Sequence, residues 1–367
     1  MSHTGDYLGI HLTGSLPFDR TNEAFAFIGE SLKPWVRRVP DGEPGDRANW
    51  VLTQSAHFFE NPAFEPAPPA PDINRPLVRI KDGSVGRSID FRPFAYADDA
   101  GQSYSLFQEA RRSGVLAPES KFLISLPTPL NALFFFVDFK DRAAVLPAYT
   151  AQAKATVEDI LARIPHEDLA VQWDLPIELA TVQGWFPNPL GAEVEIYSAI
   201  AEISAWFPSD VDFGYHLCYG DPKFGPSPFM GREDQRTAEH HDHGRHIIPP
   251  DISVVVKVSN ALAQAVKRPI NFVHAATMRS WTEPRHWETL EHLRLKPETE
   301  FYLGLVHADD TPAEARYRLD IAARHLSAFG ISTECGLGRY SRAQLASVVS
   351  TFRALNAEIA SSHARVA

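Results

Sequence analysis

Cysteine is almost missing from this chain: its 367 residues include two, Cys218 and Cys335. Two thiols cannot build a disulfide framework, so the fold must rest on its core. Basic residues are also outnumbered, with 35 Lys and Arg against 46 Asp and Glu and a net charge of -11. That balance argues against a general nucleic-acid or membrane-surface binder, since either needs a basic face. No apolar run approaches the ~20 residues that span a bilayer. Met1-Ser2-His3-Thr4-Gly5-Asp6 has no charged-then-apolar signal region. The expected partners are therefore small molecules, with neither nucleic acid nor membrane. The expected location is a reducing cytoplasm, where both thiols stay free for chemistry. A glycine-rich phosphate loop after the first strand is missing too.

What is present is an ordinary globular composition, 44% apolar and 22% charged, enough for a sizeable core. Apolar strand, turn and amphipathic helix repeat along the chain. Strands are expected at 7–16, 36–39, 121–126, 169–174, 211–216, 270–274, 300–306 and 331–335. Helices are expected near 22–36, 50–59, 143–164, 192–206, 253–266, 283–293, 312–328 and 342–361. The stretch 133–137 is apolar on every side and buried whether helix or strand. Residues 61–117 read as an insertion: a proline-rich loop over 61–72, a hairpin of 77–80 with 88–91 on Lys81-Asp82-Gly83, and a helix at 103–112. Residues 231–250 lack apolar periodicity and read as a long loop after the fifth strand. Strands alternating with helices imply a parallel sheet with right-handed crossovers. Eight of them predict an α/β fold, a single (β/α)8 barrel of the TIM type over 1–367 with a hairpin-helix insertion. A doubly wound open sheet is the alternative, disfavoured by the missing glycine fingerprint.

In such a barrel the chemistry sits at the carboxyl ends of the strands. Those ends carry Ser15, Glu43, Asp174, His216, Cys218, His274, His307 and Cys335. His216 and Cys218 are two residues apart, so on an extended backbone both side chains leave one face. Zinc takes imidazole nitrogen and thiolate sulfur together. The plainer reading is two unpaired cysteines filling core, as this residue type often does. Glu239-His240-His241-Asp242-His243-Gly244-Arg245-His246 reads as a solvated loop over the mouth, with weak metal affinity of its own. His11, inside the first strand, reads as a hydrogen-bonded core residue. Trp185 and Phe186 offer a platform for a flat molecule such as a pterin, or simply rim packing.

Six stretches then carry a resemblance. Gly14-Ser15-Leu16-Pro17, Asp41-Gly42-Glu43 with Arg47, Gln172-Trp173-Asp174 with Pro176, and His216-Leu217-Cys218-Tyr219 come first. Val306-His307-Ala308 and Glu334-Cys335-Gly336-Leu337 complete the series. Over nearly its whole length the chain resembles the catalytic half of cobalamin-independent methionine synthase, in the barrel superfamily that also holds uroporphyrinogen decarboxylase. The resemblance implies a zinc held by His216, Cys218 and Cys335. A glutamate on the following strand adds a ligand in the family. Here Ile270-Asn271-Phe272-Val273-His274 offers His274 instead, so the fourth position falls to His274, Glu239, another histidine or water. Two thiolates and a neutral imidazole leave one zinc position open, as catalytic sites do. A thiol entering it would lose its proton yet stay nucleophilic.

The resemblance further implies that Ser15, Glu43 and Asp174 bind the amino and carboxylate ends of an amino-acid thiol. His307 and Asp174 are the acids available to activate an alkyl donor. The expected reaction is zinc-dependent methyl transfer from a methyltetrahydrofolate-type donor to homocysteine or a related thiol. The missing glutamate keeps a rival in view, transfer of another alkyl group or an epoxide to a different thiol. A barrel that holds zinc or thiol without turnover is a third reading. A uroporphyrinogen-type decarboxylase would leave both cysteine motifs unexplained.

Overall fold

Residues 7–68, 75–84, 88–219, 249–338 and 340–364 are described by a computed structural model of the chain. Its framework follows from runs such as Leu169-Ala170-Val171-Gln172-Trp173-Asp174, buried at every position. A strand buried on both faces belongs to a parallel sheet covered by helices. In chain order the elements begin β1 Tyr7–Ile10, α1 Thr21–Ser31, β2 Arg38–Pro40, α2 Ser55–Phe59, β3 Phe64–Pro66 and β4 Val78–Ile80. Next are α3 Tyr96–Arg112, β5 Lys121–Pro127, α4 Pro129–Phe136, α5 Arg142–Arg163, β6 Leu169–Asp174, α6 Pro176–Val182 and α7 Glu193–Ser204. Then come β7 Asp212–Leu217, α8 Ser253–Ala265, β8 Phe272–Ala276, β9 Glu300–Val306, α9 Pro312–Ala322, β10 Phe329–Thr333 and α10 Arg342–Ala364.

Eight strands form one parallel sheet in the order β1-β10-β9-β8-β7-β6-β5-β2. Two isolated parallel bridges, Ile10 with Val36 and Ser15 with Gly42, join its edges. The Ile10 amide donates to the Trp35 carbonyl at 2.8 Å and the Leu16 amide to Gly42 at 2.9 Å. The sheet thus curls into a barrel of the TIM type, as the strand–helix alternation predicts.

Four elements differ from the sequence expectation. The first strand ends at Ile10, and the chain regains contact with its neighbour only at Ser15. The helix expected over 50–59 starts at Ser55, because Trp50 takes φ 51° inside the preceding 3-10 stretch. The helix expected at 283–293 is two short 3-10 turns, Pro284–His286 and Glu288–His292. A hairpin does form before α3, but β4 pairs antiparallel with β3, in the stretch read as loop, instead of with 88–91. The reason is burial. Phe64 joins Phe58 and Phe91 in an aromatic cluster, with ring centroids 6.2 and 6.1 Å away.

The barrel interior is filled in layers, as parallel barrels require. At the amino end of the strands, Arg38 donates through Nε to Asp212 at 3.1 Å and through Nη1 to Glu300 at 2.7 Å. Its guanidinium lies 4.3 Å from the centroid of the Phe272 ring. Above it, Leu8 packs on a cluster of Leu123, Ala170, Phe272 and Tyr302. Gly214 makes room here, since a Cβ would stand 2.5 Å from the Phe272 ring. His11 comes next, its ring 4.9 Å from Phe272, 5.2 Å from Tyr302 and 5.7 Å from His274.

Removing one partner of a buried charge network strands the others in low dielectric. Arg38→Ala should therefore lower unfolding stability by about 3 kcal/mol in urea titrations. Unchanged stability would show that the network contributes nothing to closure.

Candidate metal centre

β7 delivers the first donor. His216 faces Asp174 across β6 and His274 across β8 in the strand register. One more step of the two-residue alternation beyond β7 sets Cys218 on the same side. Cys335 lies two residues past β10. The three donor atoms lie within 4.8 Å of one another, and no other such group of His, Cys, Asp or Glu occurs among the described residues. His216 Nε2 and Cys335 Sγ are 3.5 Å apart. A tetrahedral zinc with bonds of about 2.3 Å to sulfur and 2.05 Å to nitrogen sets such a pair roughly 3.6 Å apart. The donor set, two sulfurs and one imidazole, suits that ion. The residues fit the group that the sequence implies.

His274 stands behind His216 and outside that group. Its Nδ1 is 2.6 Å from His216 Nδ1, and its Nε2 is 2.9 Å from the Thr333 carbonyl oxygen. Burial pushes the His274 imidazole well below its ordinary range, so the ring is neutral. The turn carrying Cys335 is pinned from the other edge of the barrel. Leu337 donates its amide to the Ser15 carbonyl at 2.7 Å, and the Gly338 amide donates to Ser15 Oγ at 3.2 Å. At Gly336 a Cβ would stand 2.3 Å from Ser15 Oγ, so this close approach needs glycine.

Asp174 is buried beside the centre. The Gln172 amide donates to its Oδ1 at 2.8 Å, while Gln172 Oε1 accepts from His11 Nε2 at 2.8 Å. Burial drives the Asp174 carboxyl up to about 7, against the pull of His216 and the Gln172 hydrogen bond. Burial likewise pushes His11 down to about 3, which keeps it neutral. Glu43 takes φ 48°, in the left-handed region, and its amide donates to Asp41 at 2.9 Å. Its carboxylate lies against Gly14, where a Cβ would be 2.9 Å from Oε1. Arg47 is tied to Asp41 at 2.6 Å, and Ser103 donates to the same oxygen at 2.6 Å. The two non-glycine residues with positive φ among those described, Glu43 and Trp50, both line the cleft that also holds Gly14 and Ser125. Strained backbone concentrated at one cleft is a mark of functional sites.

His307 follows β9. Its Nδ1 lies 3.3 Å from Glu334 Oε2, and both side chains are buried. Tyr340 donates to the other Glu334 oxygen at 2.5 Å. The His307 amide donates to Asp310 at 2.8 Å, and Asp310 pairs with Arg318 and with Arg279. Trp185 is half-buried, 6.2 Å from Tyr219, and Phe186 packs 4.6 Å from Phe134. Glu239 and the histidines of 240–246 fall outside the described residues.

No protein-family model and no curated protein sequence matches the chain. Solved structures do. A chain assigned as the vitamin-B12 independent methionine synthase from Listeria monocytogenes is 15% identical, covering 96% of this chain and 98% of that one at a TM-score of 0.53. A methyltransferase from Methanosarcina mazei is 10% identical over 96% and 94% of the two chains, with a TM-score of 0.43. At these identities the first likeness speaks for the fold alone.

The sequence places Gln172 and Glu334 in its motifs without giving either a role, and it does not mark Glu178 at all. Gln172 interrupts an apolar strand two residues before Asp174, and that period was the available signal. Glu178 on α6 gave none, since a helical acid reads as solvated. It is buried, accepting from Thr128 and, at 3.2 Å, from Asn131, whose amide also reaches the Asp174 carbonyl at 3.1 Å.

Burial raises the Glu178 carboxyl from 4.5 to about 7. The folded chain therefore keeps a proton that the unfolded chain releases, and stability falls as pH rises from 4.5 to about 7. That gap corresponds to about 3 kcal/mol. Glu178→Gln should flatten the decline measured by denaturant titration across that window. An unchanged slope would mean that Glu178 ionises normally.

Proposed function

We propose that this protein is a zinc-dependent transferase that moves an alkyl group, a methyl above all, onto a thiol. The observation that carries the reading is the meeting of His216, Cys218 and Cys335 at the carboxyl end of a parallel barrel, where such folds place their chemistry. Zinc held there would lower the pKa of an added thiol while leaving its sulfur nucleophilic. The chain's own residues supply the rest. Glu43 and Asp174 are carboxylates suited to an ammonium group. Ser15 Oγ accepts from the Gly338 amide, which leaves its hydroxyl hydrogen to donate to a carboxylate. An ammonium and a carboxylate on one small thiol describe homocysteine or a related amino-acid thiol.

The alkyl donor needs a proton on its departing nitrogen or oxygen. His307 is suited to give it. Its Nδ1 is turned to Glu334, 3.3 Å from Oε2, which orients the ring. Asp174, near neutrality in its ionisation, is the second acid. A methyltetrahydrofolate-type donor fits this requirement, with the half-buried Trp185, 6.2 Å from Tyr219, offering an aromatic face. A second reading, another alkyl group or an epoxide moved to a different thiol, is favoured by His274 standing where the resembled family has glutamate.

Purified protein should carry about one zinc per chain. Cys218→Ser and Cys335→Ser should each lose the ion and thiol alkylation together while keeping the native circular dichroism. Full turnover with retained zinc in Cys335→Ser would overturn the site. Asp174→Asn should raise KM for homocysteine about tenfold or more, the worth of a charged hydrogen bond. An unchanged KM would favour the second reading.

A further inference from the structure

We infer that His274 is a positioning residue for the metal centre and not one of its ligands, so that the described residues supply three donors and His216 binds through Nε2. This rests on the zinc reading above and deepens it.

A carbonyl oxygen can only accept, so the 2.9 Å contact with Thr333 requires a proton on His274 Nε2. The two Nδ1 atoms, 2.6 Å apart, have room for one proton between them. A histidine that binds a metal through Nε2 keeps its proton on Nδ1. The shared proton therefore sits on His216 Nδ1, and His274 Nδ1 accepts it. His216 is left with a lone pair on Nε2, and that nitrogen faces Cys335 Sγ at 3.5 Å. Both ring nitrogens of His274 are thus engaged, and it lies outside the group of donors within 4.8 Å of one another.

The chain Thr333–His274–His216 does what a carboxylate or carbonyl behind a ligand histidine does elsewhere, fixing tautomer and ring orientation. It has a second effect. Thr333 is the last residue of β10, two before Cys335, and its hydroxyl donates to the Cys335 carbonyl at 2.8 Å. The orientation of the imidazole donor and the placement of the second thiolate are therefore set by the same strand end. With His274 occupied as a support, no protein nitrogen from β8 competes for the fourth position.

Three measurements test this. In metal-free protein labelled with 15N at histidine, His274 should show the Nε2–H tautomer and His216 the Nδ1–H tautomer. By competition with a chromophoric chelator, His274→Ala should bind zinc roughly 10–100-fold more weakly at unchanged stoichiometry. His274→Gln, whose amide oxygen accepts from His216 and whose amide NH2 donates to Thr333, should recover most of that loss. X-ray absorption should count the same number of imidazoles and sulfurs around zinc in His274→Gln as in the wild type. One imidazole fewer in that variant, equal affinity in all three proteins, or His274→Gln no better than His274→Ala would each overturn the proposal. If the wild-type chain binds no zinc, the transferase reading falls. The tautomers of the metal-free protein still decide whether His274 orients His216.

Discussion

A parallel barrel has a dry interior, and any polar side chain placed inside it must find a protein partner. The rest of this molecule depends on that constraint. At the amino end, Arg38 is held by Asp212 and Glu300. Toward the carboxyl end, His11 donates a hydrogen bond to Gln172, and Gln172 donates one to Asp174. In parallel, Thr333 anchors His274, which anchors His216. The polar groups of the mouth are thus ends of hydrogen-bonded chains rooted in the core. Their orientations are set before any ligand arrives, which is what preorganisation means physically.

The rim is built differently. Ser15 clips the turn after β10, linking the first strand region to the segment that carries Cys335. Asp41 gathers Arg47, Ser103 and the Glu43 amide, holding Glu43 in its left-handed conformation. Asp310, paired with Arg318, fixes the backbone at His307. Cys335, Glu43 and His307 are thereby each held in place by a neighbouring side chain.

Much of this was legible in the sequence, for identifiable reasons. Eight buried strands announce themselves as apolar runs, because a strand covered on both faces has no polar side to confuse the pattern. Two cysteines at strand ends, one beside a histidine at a spacing of two, point to one mouth. Other features were hidden. β3 is three residues long and ends in Pro66, so only the burial of Phe64 reveals it. The turn of the His274 ring, Nδ1 toward His216 and Nε2 toward Thr333, is another, because sequence gives a residue's place along a strand but not which way its ring nitrogens point. Glu334, adjacent to Cys335, draws its meaning from His307, which is 27 residues away along the chain and reached only through the fold. Trp50 sits in a helical pattern that its own backbone breaks.

The scarcity of cysteine has a further side. The chain's two thiol sulfurs, far apart in sequence, come to rest within 4.8 Å of the same imidazole and of each other. The remainder of the molecule carries no competing thiol. Oxidants, electrophiles and soft metals that seek sulfur therefore find one address, and the state of the protein's thiols is at every moment a statement about the occupancy of that single place.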